Sequence, residues 1–307
     1  MDRLQRHFIN RFQGGFPLVE YPYSRVAAEL GTDEATLISM IGELLDEGAL
    51  SRFGPMYDAV NMGGSITLAA LSVPDDMFEE VAGKVNAHPE IAHNYRRGHE
   101  LNMWFVIATE SADGIQNTIS LIESETGLRV FNFPKLQEFY LGLWLYIDEH
   151  GQVETRSFDS PVRYSGNNLG EIDRRIIAET QSGLPLHPTP YARIAAQVGC
   201  DSSTVIERMQ SMLHGGVIRR IGAIPNHYRL GLKANGMSVW DLPDDRIAEL
   251  GNRIGQLDYV SHCYERPRHG QKWPYNLFAM VHGHSRDEVN RKVGQIARLL
   301  GQECRQY

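Results

Sequence analysis

The sequence predicts an α+β protein built twice on one plan, each copy a winged helix-turn-helix followed by a βαββαβ domain. Three observations predict it: a repeated text, capped helical signals at the start of each copy, and strand–helix alternation in the rest. The repeat is direct. Ser24-Arg-Val-Ala-Ala-Glu-Leu-Gly31 recurs as Ala192-Arg-Ile-Ala-Ala-Gln-Val-Gly199, and Gly48, Gly54 and Gly63 meet Gly216, Gly222 and Gly231 at the same offset. Pro74-Asp-Asp then matches Pro243-Asp-Asp, His93-x-Tyr-x-Arg97 matches His262-x-Tyr-x-Arg266, and Leu101-Asn102 matches Tyr275-Asn276. The second copy stops at Tyr307, opposite Phe133, with no counterpart of Pro134 to Tyr146, so a continuation past Tyr307 stays open.

Each element follows from local signals. In the first copy Thr32 or Asp33 opens a third helix that Gly48 closes. In the second copy helices are expected over Ile172–Thr180, Tyr191–Val198 before Gly199, and Ser202–Leu213 behind the N-cap Asp201. A short wing follows each trio. Strands are then expected over Ser65–Val73, Ile91–Arg97, Asn102–Thr109 and Leu128–Phe133, with helices over Met77–Ala87 and Ala112–Glu125. That order gives the ferredoxin-like sandwich, whose helix-free face calls for the second copy as its partner. The expected domains are 1–62 and 171–230 for the helix-turn-helices and 63–150 and 231–307 for the sandwiches. Residues 151–170, with Pro161, Gly166 and Asn167-Asn168, read as a linker.

Composition bounds the function. The 307 residues are long for a single domain and suffice for two of about 150 residues each, and 42% hydrophobic with 22% charged residues is ordinary for a globular chain. The opening Met1-Asp-Arg-Leu-Gln-Arg-His is polar, and no apolar run nears the roughly 20 residues that span a bilayer, which predicts a cytoplasmic protein with no membrane partner. Cys200, Cys263 and Cys304 are dispersed, which argues against a disulfide framework or a four-ligand zinc site. No phosphate loop, G-x-S-x-G or H-E-x-x-H occurs.

A winged helix before βαββαβ resembles the leucine-responsive (Lrp/AsnC) regulators, so a transcription factor is one reading. Charge opposes it. Asp33–Glu47, the first recognition segment, holds Asp33, Glu34, Glu43, Asp46 and Glu47 and no Lys or Arg, whereas DNA binders neutralise phosphates with cations. The second segment, Asp201–Gly215, sets only Arg208 against Asp201 and Glu207, with Arg219 and Arg220 in the wing. No DNA partner is expected. The helical modules read as scaffold, able to join two chains into a homodimer.

A polar stripe carries the chemistry. Residues two apart on a strand share a face, so His93, Tyr95 and Arg97 line one side in the first copy, and His262, Tyr264 and Arg266 in the second. Such a row is costly to bury without partners. Arg96, His99, Arg268, His269 and Lys272 add cations, while Asn102, Trp104, Trp273, Tyr275, Asn276 and Phe278 add polar and aromatic groups. Guanidinium forks recognise carboxylates and flat rings suit a flat ligand, so the set predicts a pocket for a large planar polycarboxylate. Blander readings stand beside this one. A strand histidine often makes a structural hydrogen bond, surface Arg pairs are often solvated ion pairs, Trp104 is at least partly core, and Cys263, on the opposite face, reads as an inert packed thiol.

His93-Asn-Tyr-Arg-Arg-Gly-His-Glu-Leu-Asn-Met-Trp-Phe105 resembles the signature of one siroheme decarboxylase subunit. Cys263-Tyr-Glu-Arg-Pro-Arg268 with Trp273-Pro-Tyr-Asn-Leu-Phe278 resembles that of its companion. The likeness spans nearly the whole chain and is to the fused D–L form of haem d1 synthesis, with the alternative haem route as the family's other setting. It implies loss of carbon dioxide from the two acetates on rings C and D of siroheme, giving 12,18-didecarboxysiroheme. It also implies no separate cofactor, since iron arrives in the substrate. On this reading His93, Tyr95, Arg97, His262, Tyr264 and Arg266 are catalytic. Arg96, His99, Asn102, Trp104, Arg268, Lys272, Trp273, Tyr275 and Asn276 bind substrate. His99, His93 or His262 is a conceivable axial ligand to the substrate iron. A non-catalytic tetrapyrrole carrier of the same architecture remains the other alternative. The copies differ where Arg96 becomes Glu265 and Gly98 becomes Pro267, so one competent site or two stays open.

Overall fold

The computed structural model describes residues 1–157 and 169–307; the linker residues Pro161, Gly166, Asn167 and Asn168 lie outside them. The chain divides into two compact units, and the division is not one unit per copy. The helical modules of both copies share the first unit and the two sandwiches share the second.

In the first unit each helix begins and ends where its sequence says. Helix α1 (Arg3–Phe12) opens on a capping box between Asp2 and Gln5. Helices α2 (Pro22–Leu30) and α7 (Pro190–Val198) each start with proline and stop at a left-handed glycine, Gly31 and Gly199. Helices α3 (Glu34–Asp46) and α8 (Ser202–His214) are capped by Asp33 and Asp201. Helix α6 (Glu171–Thr180) completes the second trio. The copies clasp each other reciprocally. The buried Tyr23 hydroxyl donates to the Pro185 carbonyl at 2.8 Å, and the Tyr191 hydroxyl donates to that of Pro17 at 3.0 Å. Burial pushes both phenols well above their ordinary pKa.

The wings are not hairpins. Strand β1 (Leu50–Tyr57) pairs antiparallel with β9 (Ile218–Pro225) of the other copy, Gly54 opposite Gly222. Both glycines have positive φ, and a Cβ on Gly222 would lie 2.1 Å from the Phe12 carbonyl oxygen, so only glycine allows this approach.

In the second unit the first sandwich comprises β2 (Ser65–Leu71), α4 (Phe78–Asn86), β3 (Ile91–Arg96), β4 (Met103–Thr109), α5 (Ala112–Thr126) and β5 (Phe131–Pro134), in sheet order β3-β4-β2-β5. Val81, Val85, Ile115, Ile119 and Ile122 seal its helical face against Phe105 and Ile107. Three strands follow that the sequence reading left unassigned: β6 (Gln137–Leu141), β7 (Trp144–Ile147) and β8 (Val153–Arg156). Strand β8 therefore corrects part of the expected linker. It pairs with β7 in the first unit, where Asn10 on α1 and Gln13 at its C-cap each exchange two amide hydrogen bonds, with the backbone of Ile147 and Leu145 respectively.

The second sandwich comprises β10 (Ala234–Trp240), α9 (Ile247–Gly255), β11 (Val260–Glu265), β12 (Leu277–Gly283) and α10 (Arg286–Leu300), in order β10-β12-β11-β6. Its edge strand β6 comes from the first copy. Where a fourth strand of its own is expected, the described residues form only the bridge Asp241–Gln306. Between the two sheets lies an aromatic layer of Trp104, Phe131, Phe133, Trp273 and Phe278.

Candidate active site

The two His–Tyr–Arg stripes have the same internal geometry. His93 and Tyr95 rings are 6.0 Å apart, and those of His262 and Tyr264 5.9 Å. The Arg97 guanidinium sits 4.9 Å from the Tyr95 ring centre, and that of Arg266 5.3 Å from Tyr264. Each arginine follows its strand, with its amide bonded to the carbonyl of the opposing Asn102 or Asn276. Tyr95 lies directly across from Trp104, and Tyr264 from Phe278. Directly paired residues share a face, and Trp104 stands 6.4 Å from Phe278. Both stripes therefore border the same aromatic layer.

Their surroundings differ. Strand β3 is a sheet edge, and Tyr95 is 43% exposed. Strand β11 is covered by β6, with Glu138 opposite Tyr264 and Leu141 opposite His262, and Tyr264 is only 8% exposed. Burial has a larger consequence for Arg266. Its guanidinium donates to the Phe133 carbonyl, its buried Nε has no partner, and no carboxylate pairs with it among the described residues. Desolvation lowers its pKa to about 10, so it remains charged at neutral pH. Cys263, alternate to these residues, is fully buried, and burial raises its thiol pKa.

Several expected binding residues are already committed elsewhere. Arg96 is turned from the stripe onto the helical side, 3.0 Å from Asp75 and 4.2 Å from the Phe78 ring. The Asn102 amide clasps the N–H and carbonyl of Val73, and Asn276 clasps those of Leu242. They are a repeated backbone staple, not lining groups. Arg268 is bonded to Asp241, Asp244 and the carbonyls of Leu242 and Pro274, which leaves no fork for a ligand. Trp104 and Trp273 are buried, their rings 4.6 Å apart, and Trp104 donates to the Leu101 carbonyl while the buried Trp273 Nε1 has no partner. Tyr275 accepts from Gln306. His99 Nδ1 accepts the Leu101 amide at 3.0 Å. No cluster of three His, Cys, Asp or Glu suited to a metal ion occurs among the described residues.

A cavity of about 660 Å³ opens beside the layer, lined by Ser72, Arg129, Phe131, His269, Gly270 and Lys272. Of these, sequence reading named only His269 and Lys272. His269 Nε2 donates to the Asn132 carbonyl at 2.8 Å, leaving Nδ1 as the lone-pair nitrogen. Arg129 was legible as a cation two residues beyond Gly127, the glycine that ends α5; the second copy has Glu303 at that place.

Comparison with known proteins agrees with this architecture. A family model of the AsnC-like ligand binding domain matches residues 61–140 and 229–307, and one of the siroheme decarboxylase NirDL-like helix-turn-helix domain matches 5–50 and 173–219. A siroheme decarboxylase of Hydrogenobacter thermophilus is 33% identical over 287 residues, covering 93% of this chain and 85% of that one. The chain belongs to the siroheme decarboxylase family. A siroheme decarboxylase NirH subunit of Paracoccus pantotrophus is 59% identical over 136 residues, 44% of this chain and 84% of its own. A crystal structure of the siroheme decarboxylase NirDL in co-complex with an iron-uroporphyrin III analogue superposes with a TM-score of 0.72 at 30% identity, over 96% of this chain and 86% of that one. No helix among the described residues is long and apolar enough to cross a membrane.

Proposed function

We propose that this protein decarboxylates siroheme to 12,18-didecarboxysiroheme, within the cytoplasm, as a step of haem d1 or alternative haem synthesis. The likeness to the Hydrogenobacter siroheme decarboxylase over 93% of this chain carries the reading. Siroheme bears eight carboxylates on a flat ring, which matches an aromatic layer rimmed by Arg97, Arg266, Lys272 and Arg129.

Each reacting acetate loses its carboxylate as carbon dioxide, the electron pair stays on the side-chain carbon and drains into the macrocycle, and a proton then gives the methyl group. Binding an acetate equally in ground and transition state gains no rate. Arg97 and Arg266 therefore act as holders of carboxylates that are not lost. Proton delivery falls to His93 or His262, assisted by Tyr95 or Tyr264, with a typical contribution of about 10²–10⁴-fold. Iron enters with the substrate, and no other cofactor is invoked.

Anaerobic incubation with siroheme, followed by mass spectrometry, tests the proposal. The product is expected to be lighter by two carbon dioxides, and folded protein that returns siroheme at unchanged mass overturns the assignment. His93→Ala and His262→Ala should lower turnover more than affinity; full activity in both removes the histidines from the mechanism.

A further inference from the structure

The cavity between β5 and the 269–272 turn is not part of either stripe. None of its six lining residues is acidic. Arg129 and Lys272 stand 5.1 and 5.7 Å from the centre of one ring, that of the buried Phe131. Two cations gathered at one aromatic ring repel each other unless an anion joins them. Arg129 has no acidic partner among the described residues. Lys272 has one, Glu100, at 2.7 Å, and this pair is about half exposed. The ammonium holds the Glu100 carboxyl below its usual pKa. An exposed pair of this kind is held weakly because water screens it, so an incoming carboxylate displaces it readily. His269 adds a fixed wall: its Nε2 is anchored on Asn132, and its ring is edge-on to Phe133 at 4.5 Å and to Phe131 at 5.4 Å. The void, about 660 Å³, is within the range of small-molecule sites.

We propose that this cavity anchors a carboxylate-bearing edge of the macrocycle, with Arg129 and Lys272 as its cations and Glu100 as the counter-charge that the substrate replaces. The proposal deepens the decarboxylase reading and rests on it for the identity of the ligand. The site decides which way round the ring enters. The pose presents the edge bearing the reacting acetates to the histidines only while the opposite carboxylates are held. Arg129 and Lys272 are therefore positioning and specificity residues. The second copy, with Glu303 in place of Arg129, has no equivalent pair.

The test is a spectrophotometric titration of the full chain with siroheme and with iron-uroporphyrin, alongside the mass assay. Arg129→Leu and Lys272→Leu should each weaken both ligands about tenfold, raise the fraction of singly decarboxylated product, and leave the thermal melt unchanged. Arg291→Leu, the same charge change on the exposed face of α10, should leave affinity unchanged. Glu100→Gln should tighten binding about threefold. Wild-type affinity in the Arg129→Leu/Lys272→Leu double variant, or no binding by the wild type, overturns the proposal. Wild-type binding that weakens in these variants without any loss of mass supports the cavity and overturns the decarboxylase reading instead.

Discussion

Arg266 holds a charge that the fold has taken largely out of water and given no carboxylate. Breaking a buried pair is costly because it leaves such a charge behind, and replacing buried ions with apolar groups of similar volume is often neutral or stabilising by about 1–4 kcal/mol. Its lowered pKa sets the sign. Above about pH 10 the unfolded chain binds this proton more tightly than the folded one. The penalty is therefore complete at neutral pH and is relieved only as pH rises through 10. Arg266→Met is expected to melt at the same or a higher temperature than the parent while losing most siroheme turnover. A lower melting temperature with turnover intact would show a structural arginine. The exposed Arg97 lacks this penalty, so the same exchange there should leave the melt unmoved.

At the scale of elements, β6 makes the two stripes unequal. It lies along β11 because α9 offers it a glycine groove: a Cβ on Gly251 would meet the Phe139 ring at 2.3 Å, and one on Gly255 would meet Tyr140 at 3.0 Å. The corresponding residues of α4 are Ala82 and Asn86, and Asn86 is hydrogen-bonded to Asn94 on β3. The first copy thus lacks the space that seats the strand, and β3 keeps an open edge. Gly251→Val should lift β6 from its helix at a cost of about 1–3 kcal/mol. Denaturant unfolding would register the loss, and hydrogen exchange should quicken along β6 and β11 but not along β3. Equal exchange in all three strands would argue against the groove.

At the scale of the molecule, the copies exchange parts in both units. The wings β1 and β9 complete each other, Tyr23 and Tyr191 reach reciprocally across, and β6 finishes the opposite sheet. Separating the chain into Met1–Ser157 and Leu169–Tyr307 should therefore give halves that aggregate alone and purify as a stoichiometric pair when produced together. A monomeric, cooperatively folding half would contradict the exchange.

Much of this was legible in the linear text, because the rules that wrote it are local. Asp33, Asp201, Pro22, Pro190, Gly31 and Gly199 fix helix ends through bonds and dihedrals within a few residues. The duplication and the alternation of His93, Tyr95 and Arg97 with their neighbours need no knowledge of distant partners. Residues with partners far along the chain are harder to read. Asn102, Asn276, Arg96 and Arg268 have the chemistry of ligand contacts, yet nearby backbone and carboxylates take their donors. Arg129 and Phe131 gain meaning only from a turn some 140 residues away. The sequence by itself determined the helices, the strands common to both copies and their repetition, but not β6, β7 or β8, since hydrogen-bonding period and capping act over a single turn. Only the tertiary structure decided which cations remain unpaired and which strand edge stays open, because both depend on what the other copy brings alongside.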